Sequence, residues 1–196
     1  MKGHFDFLGV SSVERKVPIQ TVISKYPKLQ LEDIFSIMKL LWDQPHREMQ
    51  YVAMDISKRF CKKLSKEHLP TIIKLITEKS WWDTVDFLAV NHLGGALYNT
   101  QDKGKKYALS LIDSDNMWLR RSALLYQLKY KSDTDFELLS TLILATIHEK
   151  EFFIRKAQGW SLREYSKTNK VAVGQFIQDY EDQLSTLAKR EGGKYV

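Results

Sequence analysis

Four short stretches of this chain open in the same way at a fixed interval. Arg47-Glu-Met-Gln-Tyr-Val-Ala53, Trp82-Asp-Thr-Val-Asp-Phe-Leu88, Met117-Trp-Leu-Arg-Arg-Ser-Ala123 and Phe152-Phe-Ile-Arg-Lys-Ala-Gln158 each follow a polar break, and their first residues advance by 35 each time. That period suits a helix pair, which cannot bury its apolar faces alone and must stack on its neighbours. The expected fold is therefore all-α: a right-handed α-solenoid of roughly five helix pairs, with one row of helices lining a concave surface. In such a stack Asp86, Arg121 and Lys156, also 35 apart, fall at equivalent points on successive helices.

The composition agrees with long helices. Hydrophobic residues make up 43% of 196 residues, with only four prolines and nine glycines to interrupt them, so a single domain over 1–196 is expected. A capping box, Ser11-Ser-Val-Glu14, opens a helix that runs to about residue 25 with Pro18 inside it. Apolar residues at three-four spacing predict further helices at 31–43, 47–64, 69–77, 81–98, 101–111, 116–130, 134–147, 151–168 and 171–187. No stretch alternates with period two, so no sheet is expected.

Several classes of function are disfavoured. Cys61 is the only cysteine, which leaves no disulfide framework and no cysteine-based metal site, and fits a reducing, intracellular setting. The five histidines form no compact ligand spacing, so no metal is expected. Asn91-His-Leu-Gly-Gly95 is neither a phosphate loop nor a dinucleotide fingerprint, and no GxSxG occurs; no cofactor is expected, nor nucleotide hydrolysis or acyl transfer. The N-terminus lacks the apolar core of a signal peptide. The apolar run 138–147 is broken by Ser140, Thr141 and Thr146 and is too short for a membrane span. A soluble, cytoplasmic, monomeric protein without a membrane partner is expected. Thirty basic against twenty-four acidic side chains give a charge of +6, which makes a polyanion a plausible partner.

Two tryptophans and two aspartates crowd Lys79-Ser-Trp-Trp-Asp-Thr-Val-Asp-Phe-Leu-Ala89. Ser80 is the expected N-cap and Asp83 the carboxylate that meets the first N–H groups, which starts the helix at about Trp81. Trp81, Val85 and Leu88 then form a core stripe. Trp82 and Asp86, four apart, form a second stripe, where a ring beside a carboxylate suits a cationic, sugar-bearing ligand. The alternative is that Trp82 is core and Asp86 a salt-bridged helix residue. Arg120-Arg121 and Arg155-Lys156 lie in first helical turns, where cations oppose the dipole; phosphate ligands or nearby carboxylates would account for them. Trp118 and Trp160 read either as groove aromatics or as core.

Three motifs in order carry a resemblance to a known family. They are Ser80-Trp-Trp-Asp-Thr-Val-Asp86; Asp115-Asn-Met-Trp-Leu-Arg-Arg-Ser-Ala123 with Gln127-Leu-Lys-Tyr-Lys131; and Glu151-Phe-Phe-Ile-Arg-Lys-Ala157 continuing through Gly159-Trp-Ser-Leu-Arg-Glu-Tyr-Ser-Lys-Thr168. From His4-Phe-Asp-Phe-Leu-Gly9 to Lys189-Arg190, the chain resembles the bacterial AlkD-type DNA alkylation-repair glycosylases, built from HEAT-like repeats. The resemblance implies a C-shaped solenoid that holds duplex DNA in a concave basic groove. It also implies hydrolysis of the N-glycosidic bond of cationic N3- or N7-alkylated purines, without drawing the base into a pocket. It casts Asp86 as the catalytic carboxylate, Trp82 and Trp160 as aromatics flanking the deoxyribose, and Arg121 as a phosphate-contacting cation, with Arg120, Arg155 and Lys156 as further DNA-binding candidates. Members of the family carry a helical segment ahead of the His4 element, whereas this sequence begins three residues before it. The expectation is therefore weak, salt-sensitive duplex binding with slow or lost excision. The alternatives are a fully active alkylpurine glycosylase and a non-enzymatic protein-binding scaffold.

Overall fold

The computed structural model describes residues 3–100 and 102–196, and among these residues there are helices and no strand. A first helix, α1 (Ser12–Ser24), opens on the expected capping box: Glu14 N–H donates to Ser11 Oγ, and Ser11 N–H donates to the Glu14 carboxylate. Five pairs follow. They are α2 (Leu31–Asp43) with α3 (Arg47–Ser57), α4 (Leu69–Thr77) with α5 (Trp82–Phe87) and its continuation, and α7 (Lys105–Ile112) with α8 (Met117–Leu125). The last two are α9 (Phe136–Ala145) with α10 (Phe152–Ser166), and α11 (Lys170–Asp179) with α12 (Thr186–Gly192). The helices α3, α5, α8 and α10 start at residues 47, 82, 117 and 152, so the interval seen in the sequence is the interval between equivalent helix starts. Each packs on the next, and α10 on α12, which makes one row; α2 touches α4, and α7 touches α9, on the other side.

The core runs the length of the stack. Ile34, Met38, Ile72, Ile76, Leu88, Leu93, Leu142, Ile143 and Leu162 are fully buried, each such side chain contributing about 1.5–3 kcal/mol. Polar bonds between residues 35 or 36 apart join one repeat to the next. Trp42 Nε1 donates to the Glu78 carbonyl (3.1 Å), Tyr130 hydroxyl to the Gly94 carbonyl (2.7 Å), and His92 Nε2 lies 2.9 Å from Ser57 Oγ. Burial pushes His92 down to about 3, so it is a neutral core residue.

The centre of the row is not a plain α-helix. α5 passes into a π-helical turn (Leu88–Leu93) and then into α6 (Gly94–Tyr98), a widening often found where a helix must re-aim its side chains. Two glycines follow because two backbones press against it. A Cβ on Gly94 would run into the Tyr126 carbonyl oxygen, and one on Gly95 into the Cys61 carbonyl oxygen. Gly95→Ala is expected to destabilise the fold by about 1–3 kcal/mol, as overpacking against an unyielding backbone does. A urea midpoint equal to that of the parent would contradict this packing account.

The structure departs from the sequence expectations at several helix ends. Trp81, not Ser80, is the N-cap of α5: Ser80 Oγ instead donates back to the Ile76 carbonyl (2.7 Å), and Asp83 is taken by Arg47. The helix expected at 47–64 ends at Ser57 and tightens into a 3-10 segment, Lys58–Lys63. The helix expected to 130 ends at Leu125. The single helix expected at 171–187 is two, because Ser185 caps a new helix, accepting from Ala188 N–H at 3.1 Å, so that α12 can fold back on α10. The start expected at Gln101 lies outside the described residues; the described helix begins after Gly104, whose φ of +81° suits glycine.

Candidate functional site

Asp86 sits on the second turn of α5, and Arg121 at the equivalent point of α8. The sequence register brings them face to face. Arg121 Nε donates to Asp86 Oδ1 (2.7 Å) and a terminal nitrogen to Oδ2 (2.8 Å), a parallel two-bond clamp, while its other terminal nitrogen donates to the Phe153 carbonyl. The guanidinium side chain is 3% exposed and that of Asp86 14%. Burial pushes the Asp86 carboxyl above the usual carboxylate range, and the Arg121 hydrogen bonds and charge pull it back without cancelling the rise.

Asp86 and Trp160 line one cleft of about 320 Å³, together with Phe87, Val90, Asn91, Leu128, Lys129 and Glu164. Trp82, one turn before Asp86 at the start of α5, is 46% exposed and is not among the residues lining that cleft. Trp81 and Trp118 are structural: with Phe153 they form an aromatic cluster at the helix starts, ring centroids 5.0–5.8 Å apart. The ring of His4 lies 4.1 Å from that of Trp81, so the lead-in segment docks at the same end. Glu48 fixes that segment by accepting from the N–H groups of Leu8, Gly9 and Val10.

The remaining cations have internal partners. Arg120 clamps Glu149 with two bonds of 2.8 Å, Arg155 Nε donates to the Glu149 carbonyl (2.8 Å), and Lys156 pairs with Glu191 at 2.6 Å. For Arg120 and Lys156 the neutralising partner is a carboxylate beyond the reach of local sequence patterns, whereas Arg155 is held by a nearby backbone carbonyl. A second two-bond clamp, with the charges reversed and at a different register, joins the preceding repeats: fully buried Arg47 holds Asp83 (2.7 and 3.1 Å), to which Tyr51 also donates at 2.6 Å. Burial, aided by Asp83, pushes the Tyr51 hydroxyl up to about 12.

Sequence reading missed Lys129, Asn91 and Glu164 as cleft residues. Glu164, four residues beyond Trp160, shares its helix face, whereas Asn91, five beyond Asp86, would be turned away from it on a regular α-helix and joins the cleft through the π-helical turn, which no sequence pattern announced. The arrangement presents an oriented carboxylate and an indole ring to one open cleft, with an ammonium beside them. It can stabilise developing positive charge and hold a water by a carboxylate oxygen.

Over residues 1–196 the sequence matches the profile of a family described as DNA alkylation repair enzyme. It is similar to a solved structure described as a predicted DNA alkylation repair enzyme from Enterococcus faecalis, with 32% identity and a TM-score of 0.89 over 100% of this chain and 90% of that one. No curated protein sequence matches it. Among the described residues no helix is long and apolar enough to cross a membrane.

Proposed function

From the premise that this chain belongs to the DNA alkylation repair enzyme family, we propose that it binds duplex DNA across the Asp86 cleft and hydrolyses the N-glycosidic bond of purines alkylated at N3 or N7. The observation that carries this reading is the Asp86 carboxylate, clamped through both oxygens by buried Arg121 and opening with Trp160 onto one cleft.

Such a lesion is cationic and needs no proton to leave. As the C1′–N bond breaks, its electron pair passes to the base, which departs neutral, and positive charge moves to the sugar. Ionised Asp86 stabilises that charge and orients a water for attack at C1′; the water's spare proton goes to the carboxylate or to solvent. Trp160, in the cleft, offers a ring face to the cationic sugar, and exposed Trp82, one turn before Asp86 and outside the cleft, is available to the flanking DNA. Arg121 is a positioning residue: it holds the carboxylate ionised and aimed. Arg120 and Lys156 are paired with Glu149 and Glu191, and Arg155 with the Glu149 carbonyl, so a DNA contact by any of them requires exchange of that partner for phosphate.

The test is release of free N7-methylguanine from a duplex carrying one such lesion, followed by chromatography under single-turnover conditions. Base release with an abasic product supports the reading. Duplex binding without release would leave only the binding half, and the absence of both would favour a protein-binding scaffold.

The rate should also follow Asp86 ionisation. Because burial raises that carboxyl, the active carboxylate is lost as pH falls through a value higher than that of an ordinary aspartate, and the rate is level above it. A rate, corrected for spontaneous depurination, that stays level down to the ordinary aspartate range of about 3.9 would contradict the role given to Asp86.

A further inference from the structure

We propose that Lys58, Lys62 and Lys129 form a phosphate track that carries one DNA strand away from Asp86 along the composite helix α5–α6. This rests on the duplex-binding reading above and names the cations that do the gripping. The Asp86 cleft adjoins a second one of about 610 Å³, lined among others by Lys58, Lys62, Gly95, Tyr98 and Tyr130; the two share Val90, Asn91 and Lys129. Asp86, Val90, Asn91, Gly94, Gly95 and Tyr98 lie on one face of the composite helix, so the clefts make one trough along it. At about 1.5 Å per residue the trough spans about 18 Å, which matches roughly five nucleotides of one strand at about 3.4 Å each.

The lysines differ from the cations at the helix starts. Lys58, Lys62 and Lys129 are exposed, and among the described residues none pairs with a carboxylate, whereas Arg120, Arg121 and Lys156 all do. Two of the three stand on the 3-10 segment and one just after α8, so three like charges line a common trough whose own carboxylates, Asp86 and Glu164, are bonded to Arg121 and Lys167 instead. Self-repulsion there is relieved by a polyanion. Lys129 is also aimed. Its ammonium donates to Asn91 Oδ1 (2.6 Å), and Asn91 Nδ2 donates to the Phe87 carbonyl (2.8 Å), bracing the amide against the helix that carries Asp86. Asn91 is thus a positioning residue for the cation where the two clefts join.

The experiment measures duplex affinity against salt by fluorescence anisotropy. The variants are a Lys58→Ala/Lys62→Ala/Lys129→Ala triple and a control triple, Lys39→Ala/Lys105→Ala/Lys106→Ala, which removes the same charge from exposed sites on α2 and α7. Each phosphate contact contributes about 0.9 to the slope of log K against log salt. The track triple should therefore lower the slope by about 3 and weaken binding on the order of tenfold or more, while the control leaves the slope unchanged. Lys129→Gln and Asn91→Ala should each lower it by up to about 1, with circular dichroism confirming a parent-like fold. If the parent binds and the track triple matches its slope, the track is wrong and the duplex-binding reading stands. An equal loss in the control triple would reduce the effect to net charge and also overturn the track. If the parent itself binds no duplex, both fall.

Discussion

Asp86→Asn is expected to lower single-turnover release of N7-methylguanine by about 10²–10³-fold, the usual loss when one aligned electrostatic group is removed from a reacting centre. The substitution keeps the shape of the side chain and removes its charge. It also turns an amide N–H₂ toward Arg121 at one of the two oxygen positions, so one neutral bond remains and donor faces donor where the second charge-assisted bond stood. The melting temperature should fall as well, and the rates belong at a temperature where the variant is folded by circular dichroism. Duplex affinity should change little, because Asp86 brings no positive charge to the phosphates. The combination of retained binding and lost release separates a catalytic carboxylate from a merely structural one. Undiminished release from the folded variant would sink the assignment.

The largest effect on stability is expected from Arg121→Ala. Removing one partner of a buried pair leaves the other charge uncompensated, at a cost of about 3–5 kcal/mol. For a chain of this size that corresponds to a fall in melting temperature of roughly 6–20 °C. Here the guanidinium also holds the Phe153 carbonyl, so the start of α10 loses an anchor and Trp160, two turns on, loses part of its support. Without Arg121, burial acts on Asp86 unopposed and its carboxyl rises further. Any residual release should therefore be weakest at low pH and recover as pH rises. Arg121→Lys should restore some charge but not the two-bond clamp, and fall between parent and alanine. A melting temperature within a degree of the parent would show that the pair is dispensable to the fold.

Most of the architecture was legible because the signals are local and repeated. The 35-residue interval needs no tertiary information: a helix pair that cannot bury its own faces must stack, and the four starts at 47, 82, 117 and 152 fall where the pattern put them. The same register placed Asp86 and Arg121 at equivalent points of successive helices, but the resemblance assigned Arg121 to phosphate, whereas the packed structure buries its guanidinium against Asp86 and the Phe153 carbonyl. The α1 capping box was readable for a similar reason, as both of its bonds lie within four residues.

The helix ends and the charge partners were not legible in this way. Ser80 has the right chemistry for a cap, yet the turn following α4 directs its hydroxyl to Ile76, and Asp83 finds a fully buried arginine from the preceding repeat. The cations of the first helical turns looked available for phosphate because their partners, Glu149 for Arg120 and Glu191 for Lys156, lie 29 and 35 residues away in the chain. The exposed lysines of the trough showed nothing unusual in sequence, where a lysine beside a helix end reads as solvated. The amino-acid sequence by itself determined the repeat, the all-helical stack and the equivalent register of Asp86 and Arg121, because these follow from periodicity and nearest-neighbour packing. Only the tertiary structure decided which charges are spent inside the protein and which remain facing the cleft, because pairing depends on where distant carboxylates come to rest once the helices have packed.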